Sequence, residues 1–464
     1  MQTLSAVVTT GIYCRAGCPA RPEPRNVRRF GTSAAAEAAG FRACLRCRPY
    51  REAPVAWADG PELVCRAVQR ILAGALDHGT EAELAARLGV SGRHLRRLFV
   101  AEVGATPDAV ARSRRAHFAR RLLDDTDLSV TDVAFAAGFG SVRQLNRACL
   151  DVFRAPPTAL RARRRVADRL VADGGLRLRL PFRGPFELDA LLRYLAARAV
   201  PGVESVDLAT GTYRRTIVVG GDPGALELSA GGDDHLVLVA HLPHWEGLIH
   251  VVDRARRLFG LDLDVASATE ALGRDPRIGR LVAERPGLRV PGAWDGFEAG
   301  VRAIIGQQVS VAGATTLAGR LVERLGSPVP GLRALGLSAV FPSPVGVADG
   351  DLEGLGLPAA RVGAVRAFAS AVAADEVRLD GSAGLDPLVR SLEALPGIGP
   401  WTAQYLALRL GERDAFPAGD LGLRRAHERL ADGRPGPSLV AAAEAWRPWR
   451  ALAAAHLWTW LGDT

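Results

Sequence analysis

No lysine occurs anywhere in the 464 residues, so all 59 cationic residues of the lysine and arginine pair are arginine. Chemistry that needs a lysine amine, a Schiff base above all, is therefore excluded. Cysteine is scarce at six, and none follows Cys149, so the long remainder of the chain cannot hold an iron–sulfur cluster on its own thiolates. No apolar run reaches membrane-spanning length, and no charged segment followed by an apolar one stands at the start. These absences predict a cytoplasmic protein with no membrane partner.

What is present is unevenly spread. The length allows three or more domains, each with its own core. Residues 1–170 carry 28 arginines against 16 acidic residues, whereas 171–464 carry 31 against 34. A basic front half points to nucleic acid as its partner.

Four of the six cysteines form Cys14-x3-Cys18 and Cys44-x2-Cys47, with 25 residues between the pairs. In a reducing compartment such spacings mean metal before disulfide, and four thiolates suit tetrahedral Zn²⁺. Cys65 and Cys149 stand alone in helical patterns and read as small buried residues. The surrounding words, Thr9-Thr-Gly-Ile-Tyr-Cys14-Arg-Ala-Gly-Cys18 and Ala39-Gly-Phe-Arg-Ala-Cys44-Leu-Arg-Cys47-Arg-Pro49, resemble the zinc domain of the Ada methyltransferases. The resemblance implies that Cys14 is also the acceptor of a methyl group from a methylated DNA phosphotriester. A zinc-bound thiol stays ionised at neutral pH, which makes it a nucleophile. Methylating one of four thiolates changes the formal charge of the site from about −2 to about −1, which should strengthen phosphate contacts. Arg15-Ala16-Gly17 stands where the family word has Arg-Pro-Ser, and eight residues precede Thr9 where the family has a helical segment. The Pro-Cys-His-Arg word of the other Ada acceptor, for O6-alkylguanine, is missing, so that activity is not expected.

A helix pattern at Leu63, Val64, Ala67 and Ile71 follows the Pro-containing link from Ala53 to Pro61. It leads to two helix-turn-helix units. In the first, Gly89 is the turn and Ser91 caps a helix that offers Arg93, His94, Arg96 and Arg97 to DNA. In the second, the stretch from Val130 through Gly138 to Ser141 leads to a helix that offers Arg143, Gln144, Asn146 and Arg147. The pair closes on Phe153-Arg-Ala-Pro156-Pro157, and over about 61–165 it resembles the AraC-type DNA-binding domain. That resemblance implies two recognition helices in successive major-groove turns, and a regulator that binds promoter DNA and works with RNA polymerase.

From Leu176 the pattern changes to strands at Leu176–Leu180, Thr216–Val219 and His235–Ala240, with a helix from Leu188 to Val200. It reads as a small antiparallel sheet with helices on one side. After about Gly247 nearly everything is helical. There Leu388, Leu392 and Leu395 run into Pro396-Gly397-Ile398-Gly399, and a new helix starts near Pro400 with Trp401 and Tyr405 one turn apart. Two glycines allow close approach of the backbone, and a helix N-terminus offers unpaired N–H groups to a phosphate. With Asp420 beyond a Gly/Pro-rich loop, this segment resembles the helix-hairpin-helix DNA glycosylases.

Tyr194-Leu-Ala-Ala-Arg198, Phe297 to Ser310 and Trp446-Arg-Pro-Trp449-Arg450 extend the resemblance to the AlkA branch, over about 176–464. It implies a base flipped into a pocket lined by Tyr194, Trp401, Tyr405 and Trp458, with Gln308 as the wedge in the vacated stack and Asp420 as the essential carboxylate. Leu421 stands where the family can have an aromatic. Bases methylated on ring nitrogen, such as 3-methyladenine, are cationic, and aromatic faces attract them by roughly 0.5–2 kcal/mol each. Such a base leaves well without a general acid, and a carboxylate can stabilise the oxocarbenium-like sugar and orient water. Glycosylases that also nick DNA use a lysine amine, so the sequence predicts base removal without strand cleavage.

The fold expected is multidomain and mainly α. It comprises a zinc domain (1–52), a tandem helix-turn-helix domain (61–165), an α+β antiparallel-sheet domain (176–265) and an all-α helix-hairpin-helix domain (266–464). The function expected is detection of alkylated DNA, promoter binding and excision of 3-methyladenine or 7-methylguanine. The rival is a transcription regulator whose zinc and glycosylase-like parts serve only as DNA-binding scaffolds, and Asp420 separates the two.

Overall fold

The computed structural model describes residues 3–52, 61–165, 168–170, 175–381, 383–431 and 437–463; the predicted link from Ala53 lies outside them as far as Gly60. The chain divides into two compact units, Met1–Phe182 with Val237–Asp253, and Arg183–Leu236 with Arg254–Thr464.

The first unit opens with four short strands, β1 (Leu4–Val7), β2 (Ile12–Cys14), β3 (Val27–Phe30) and β4 (Arg42–Ala43), in the order β3-β1-β2-β4. β1 runs antiparallel to β2 and β3, while β2 and β4 are parallel. The helix Glu62–Leu72 then leads to Glu81–Arg87 and Gly92–Glu102. Thr80 and Glu83 form a reciprocal capping box at the first of these two, and the Ser91 hydroxyl accepts from His94 N–H at the second. Gly89, at φ 72°, makes the turn between them. The long helix Pro107–Asp125 joins this pair to Val130–Ala136 and Val142–Phe153, the latter capped by Ser141. Leu84, Leu95, Phe99 and Val64 are buried in one apolar cluster, so each helix is held by its inner face.

Five further strands follow in the chain, β5 (Leu176–Pro181), β6 (Glu204–Asp207), β7 (Thr212–Val219), β8 (Asp222–Ala230) and β9 (His235–His241). Within the first unit β5 lies beside β9. Within the second, β6, β7 and β8 form an antiparallel meander. Val219 faces Asp222 across the two-residue turn Gly220-Gly221, both at positive φ, which is the geometry a tight hairpin demands. β6 and β8 were not expected; β8 carries Asp222-Pro223-Gly224, residues that argue against a strand unless they sit at its start, as here. The predicted helix to Val200 ends earlier, at Ala196, ahead of Pro201.

The remainder of the second unit is a helical body around Gly296–Ile305 and Ala359–Ala373. A Cβ on Gly300 would lie 2.2 Å from the Phe368 ring, so only glycine lets these helices meet. A buried network fixes the same helix to the meander: Arg215 donates to Glu298 at 2.7 Å, and Arg302 donates to Glu204 and Glu298, both at 2.9 Å. Charges buried at this depth are tolerated only because every one is paired.

Candidate active site and metal centre

The helices Leu385–Glu393 and Pro400–Arg409 are joined by the hairpin Leu395 to Gly399. Gly397 sits at φ 77°, and a Cβ there would come within 2.6 Å of Ala364 Cβ. Gly399, by contrast, is the N-cap of the second helix with nothing within 4 Å of a Cβ position. No side chain caps that end, and Pro400 at its first position has no N–H to satisfy; an uncapped helix N-terminus of this kind can hold an anion.

The second helix carries Trp401 and Tyr405, whose rings stack at 5.2 Å and 6°. Trp458, from the last helix Arg450–Asp463, meets Tyr405 edge-on at 6.3 Å. Asp420 lies between the two indoles: Trp401 Nε1 donates to Oδ2 at 2.8 Å, and Trp458 Nε1 donates to Oδ1 at 2.9 Å. Leu423 N–H adds a third donor to Oδ1 at 3.0 Å, so Asp420 also caps the helix Leu421–Ala431. Three donors fix both carboxylate oxygens in place. Tyr194 joins from the helix Leu188–Ala196, with its hydroxyl 3.2 Å from that of Tyr405. All four predicted pocket aromatics thus gather around or beside the predicted carboxylate, and each ring is half-buried.

Gln308 is exposed and holds φ 60°, a left-handed conformation that costs a non-glycine residue about 1–3 kcal/mol. Its neighbour Gln307 anchors the loop by donating to Gly397 O and Thr402 Oγ1, both at 2.9 Å. The predicted wedge and the hairpin are therefore parts of one rigid edge. Sequence reasoning missed Gln307, and it missed Arg409, whose Nη1 donates to the hydroxyls of Tyr194 and Tyr405 at 3.0 and 3.1 Å. A cation four residues after Tyr405 on a helix was the available signal. Trp446 and Trp449 are core residues, the former donating to Asp275 Oδ2 at 2.8 Å. Burial, with Arg285 nearby, pushes His456 down to about 4, so it stays neutral.

In the first unit, the parallel pairing of β2 with β4 sets Cys14 beside Cys44, whose N–H donates to Tyr13 O at 3.0 Å. The Sγ atoms of Cys14, Cys18, Cys44 and Cys47 all lie within 4.8 Å of one another. A hydrogen bond from Cys14 is the main cause that brings Cys47 down to about 5, and the same bond, with burial, pushes Cys14 up. Four thiols this close ionise together only around a cation, and an all-sulfur tetrahedral set fits Zn²⁺. A cavity of about 330 Å³ opens beside Cys14 and Cys18, and Arg15 and Arg29 line it.

The module is bolted to the helix Pro107–Asp125. Tyr50 donates to Asp124 at 3.0 Å, Arg51 to Asp125 at 2.6 Å, and Arg120 pairs with Asp124 at 2.9 Å; Arg48 reaches Asp168 as well. Asp124 is fully buried. Tyr13, next to Cys14, donates to Glu37 at 2.7 Å, and His117 of the same long helix meets that carboxylate at 2.7 Å. On the two recognition helices Arg93, Arg96, Arg97, Arg143, Gln144 and Arg147 are exposed. His94 and Asn146 are half-buried, and Asn146 donates to Val142 O at 3.2 Å.

Three family models match in series: the metal binding domain of Ada over 2–50, a helix-turn-helix domain over 84–163 and the AlkA N-terminal domain over 177–295. The fold and the sites define a helix-hairpin-helix DNA glycosylase joined to an Ada-type regulatory half. One relative, the "Probable bifunctional transcriptional activator/DNA repair enzyme AlkA" of Mycobacterium tuberculosis, is 43% identical over 461 residues, covering 98% of this chain and 92% of its own. The chain belongs to this family of bifunctional transcriptional activator/DNA repair proteins. The DNA-3-methyladenine glycosylase 2 of Escherichia coli is 33% identical over 287 residues, 60% of this chain and 95% of that one. The solved 3-methyladenine DNA-glycosylase of Archaeoglobus fulgidus matches the fold with a TM-score of 0.52 at 23% identity, over 61% of this chain and 98% of that chain. Among the described residues no helix is long and apolar enough to cross a membrane.

Proposed function

We propose that the chain hydrolyses the N-glycosidic bond of alkylated bases in duplex DNA at Asp420, and that its front half senses the same damage and regulates transcription. The observation that carries the reading is the carboxylate of Asp420 held by two indole N–H groups at the edge of a stacked aromatic wall, directly after a hairpin open to phosphate.

The hairpin N–H groups at Gly399 grip the backbone, Gln308 fills the gap in the stack, and the flipped base lies against Trp401, Tyr405 and Trp458. A base already cationic leaves with the electron pair of its glycosidic bond. Asp420 stabilises the positive sugar and orients the water that adds to it. Absence of lysine leaves no amine to open the abasic sugar, so strand cleavage does not follow.

Cys14, Cys18, Cys44 and Cys47 would hold one zinc ion. Bound there, zinc would supply the positive charge that keeps the thiols ionised at neutral pH. Cys14 Sγ attacks the methyl carbon of a phosphotriester, the sulfur–carbon bond forms as the carbon–oxygen bond breaks, and the phosphodiester leaves as an anion. Arg15 and Arg29 beside the cavity suit that anion. The thioether carries one negative charge fewer, which favours DNA binding by the recognition helices and recruitment of RNA polymerase in the cytoplasm. No iron–sulfur cluster takes part.

The test treats purified protein with alkylated duplex DNA, follows released bases by chromatography and reads the protein by intact and peptide mass. Released 3-methyladenine with one methyl on Cys14 is expected. Absence of released base removes the glycosylase reading, and an unmodified Cys14 removes the acceptor reading alone.

A further inference from the structure

The hydroxyls of Tyr194 and Tyr405 lie 3.2 Å apart, and Arg409 Nη1 donates to both, at 3.0 and 3.1 Å, while its Nη2 is anchored on Gly292 O at 2.7 Å. One phenol donates to the other, the guanidinium fills the remaining acceptor sites, and the second phenolic proton meets no acceptor among the described residues. That proton is left to turn to water or to a ligand. We propose that the Tyr194–Tyr405–Arg409 group sets the choice between cationic and neutral damaged bases, an inference that rests on the glycosylase reading above.

The two protonation states offer a base different partners. With its proton, the pair is a donor suited to a ring nitrogen or carbonyl of a neutral base. The guanidinium then has no phenolate beside it, stands 5.5 and 5.9 Å from the centroids of the two phenol rings, and opposes a cation in the pocket. Without the proton, a phenolate cancels Arg409 and adds its attraction for a cationic base to that of the aromatic faces. Burial pushes the Tyr405 phenol up, but Arg409, Arg198 and the hydrogen bond from Tyr194 outweigh it and bring it down to about 8. Burial keeps Tyr194 raised, so Tyr405 is the phenol that yields.

The other charges around the group are Arg198, 3.9 Å from the Tyr194 ring centroid, and the Glu204–Arg302 pair behind Arg409. On the pocket side stands Asp420, reached through Trp401 and Trp458. The arginines keep their charge throughout the range concerned. Asp420 acts on every substrate, so its contribution cancels in a ratio of two substrates.

The test is therefore a ratio. Release of 3-methyladenine, cationic in DNA, and of 1,N6-ethenoadenine, neutral in this range, is measured as kcat/KM from matched duplexes between pH 6.5 and 9.5. In the wild type the cationic-to-neutral ratio rises several-fold through about pH 8. Tyr194→Phe removes one hydrogen bond and moves the rise to higher pH, and Tyr405→Phe flattens it. A ratio independent of pH in the wild type, with both bases released, overturns the inference and leaves the glycosylase intact. An unmoved inflection in Tyr194→Phe also overturns it. Failure to release either base sinks the reading on which the inference stands.

Discussion

Asp420→Asn keeps the size of the side chain and removes its charge. If the carboxylate stabilises a sugar cation about 4 Å away at an effective dielectric near 20, the interaction is worth about 4 kcal/mol. The substitution adds a second defect. Asp420 accepts from Trp401 Nε1 on one oxygen and from Trp458 Nε1 and Leu423 N–H on the other. An amide presents one oxygen and one NH₂, so at least one indole N–H then faces a donor, at about 1–3 kcal/mol. Part of that second cost falls on the ground state, so the barrier should rise by about 4 kcal/mol and base release should slow by about a thousandfold. Single-turnover release from a duplex with one 3-methyladenine measures the chemical step, and fluorescence anisotropy on an abasic duplex measures binding. Binding should change by less than about threefold, because the hairpin is untouched. Release within tenfold of wild type would refute the role given to Asp420, and a parallel loss of binding would show that its hydrogen bonds hold the fold rather than the transition state.

Gly397→Ala should lower stability by about 1–3 kcal/mol in urea unfolding, from positive φ and the contact with Ala364. Gly399→Leu should leave stability within about 1 kcal/mol and weaken duplex binding, because its side chain would occupy the approach to the helix N-terminus. Cys44→Ser should drop bound zinc, read by elemental analysis, from one ion per chain to a small fraction, and abolish methylation of Cys14. Asp124→Ala leaves Arg120 and Tyr50 without their buried partner, and should destabilise the first unit by about 3–5 kcal/mol in thermal or denaturant unfolding.

Much of the candidate site was legible because its chemistry is local in sequence. Gly397, Gly399 and Asp420 fall within one short stretch, and the cysteine pairs declare themselves by spacing. The helix cap Ser91 was equally plain, since a single hydroxyl does the work. β8 was hidden because a strand opening on Asp-Pro-Gly draws its stability from register against β7, which no local pattern displays, and the four-residue β6 depends on the same partner. The ties from Arg48 and Arg51 to Asp124, Asp125 and Asp168 join residues far apart in the chain, and a run of arginines reads from sequence as a solvated face. Arg409 also reads as a solvated charge, although its place four residues after Tyr405 was a usable signal.

Those ties have a geometric consequence for regulation. Because Tyr50 and Arg51 lock the cysteine module onto the helix between the two recognition elements, the Cys14 sulfur would keep a constant angular phase relative to a bound operator. Bound to its operator, the protein would then behave as a caliper. A modified phosphate on the same face of the duplex as the operator is within reach of a molecule already seated there. Displacing it by about half a helical turn, some five base pairs, carries it to the opposite face. The spacing between damage and promoter would thus be read by rotation about the duplex axis as much as by distance along it.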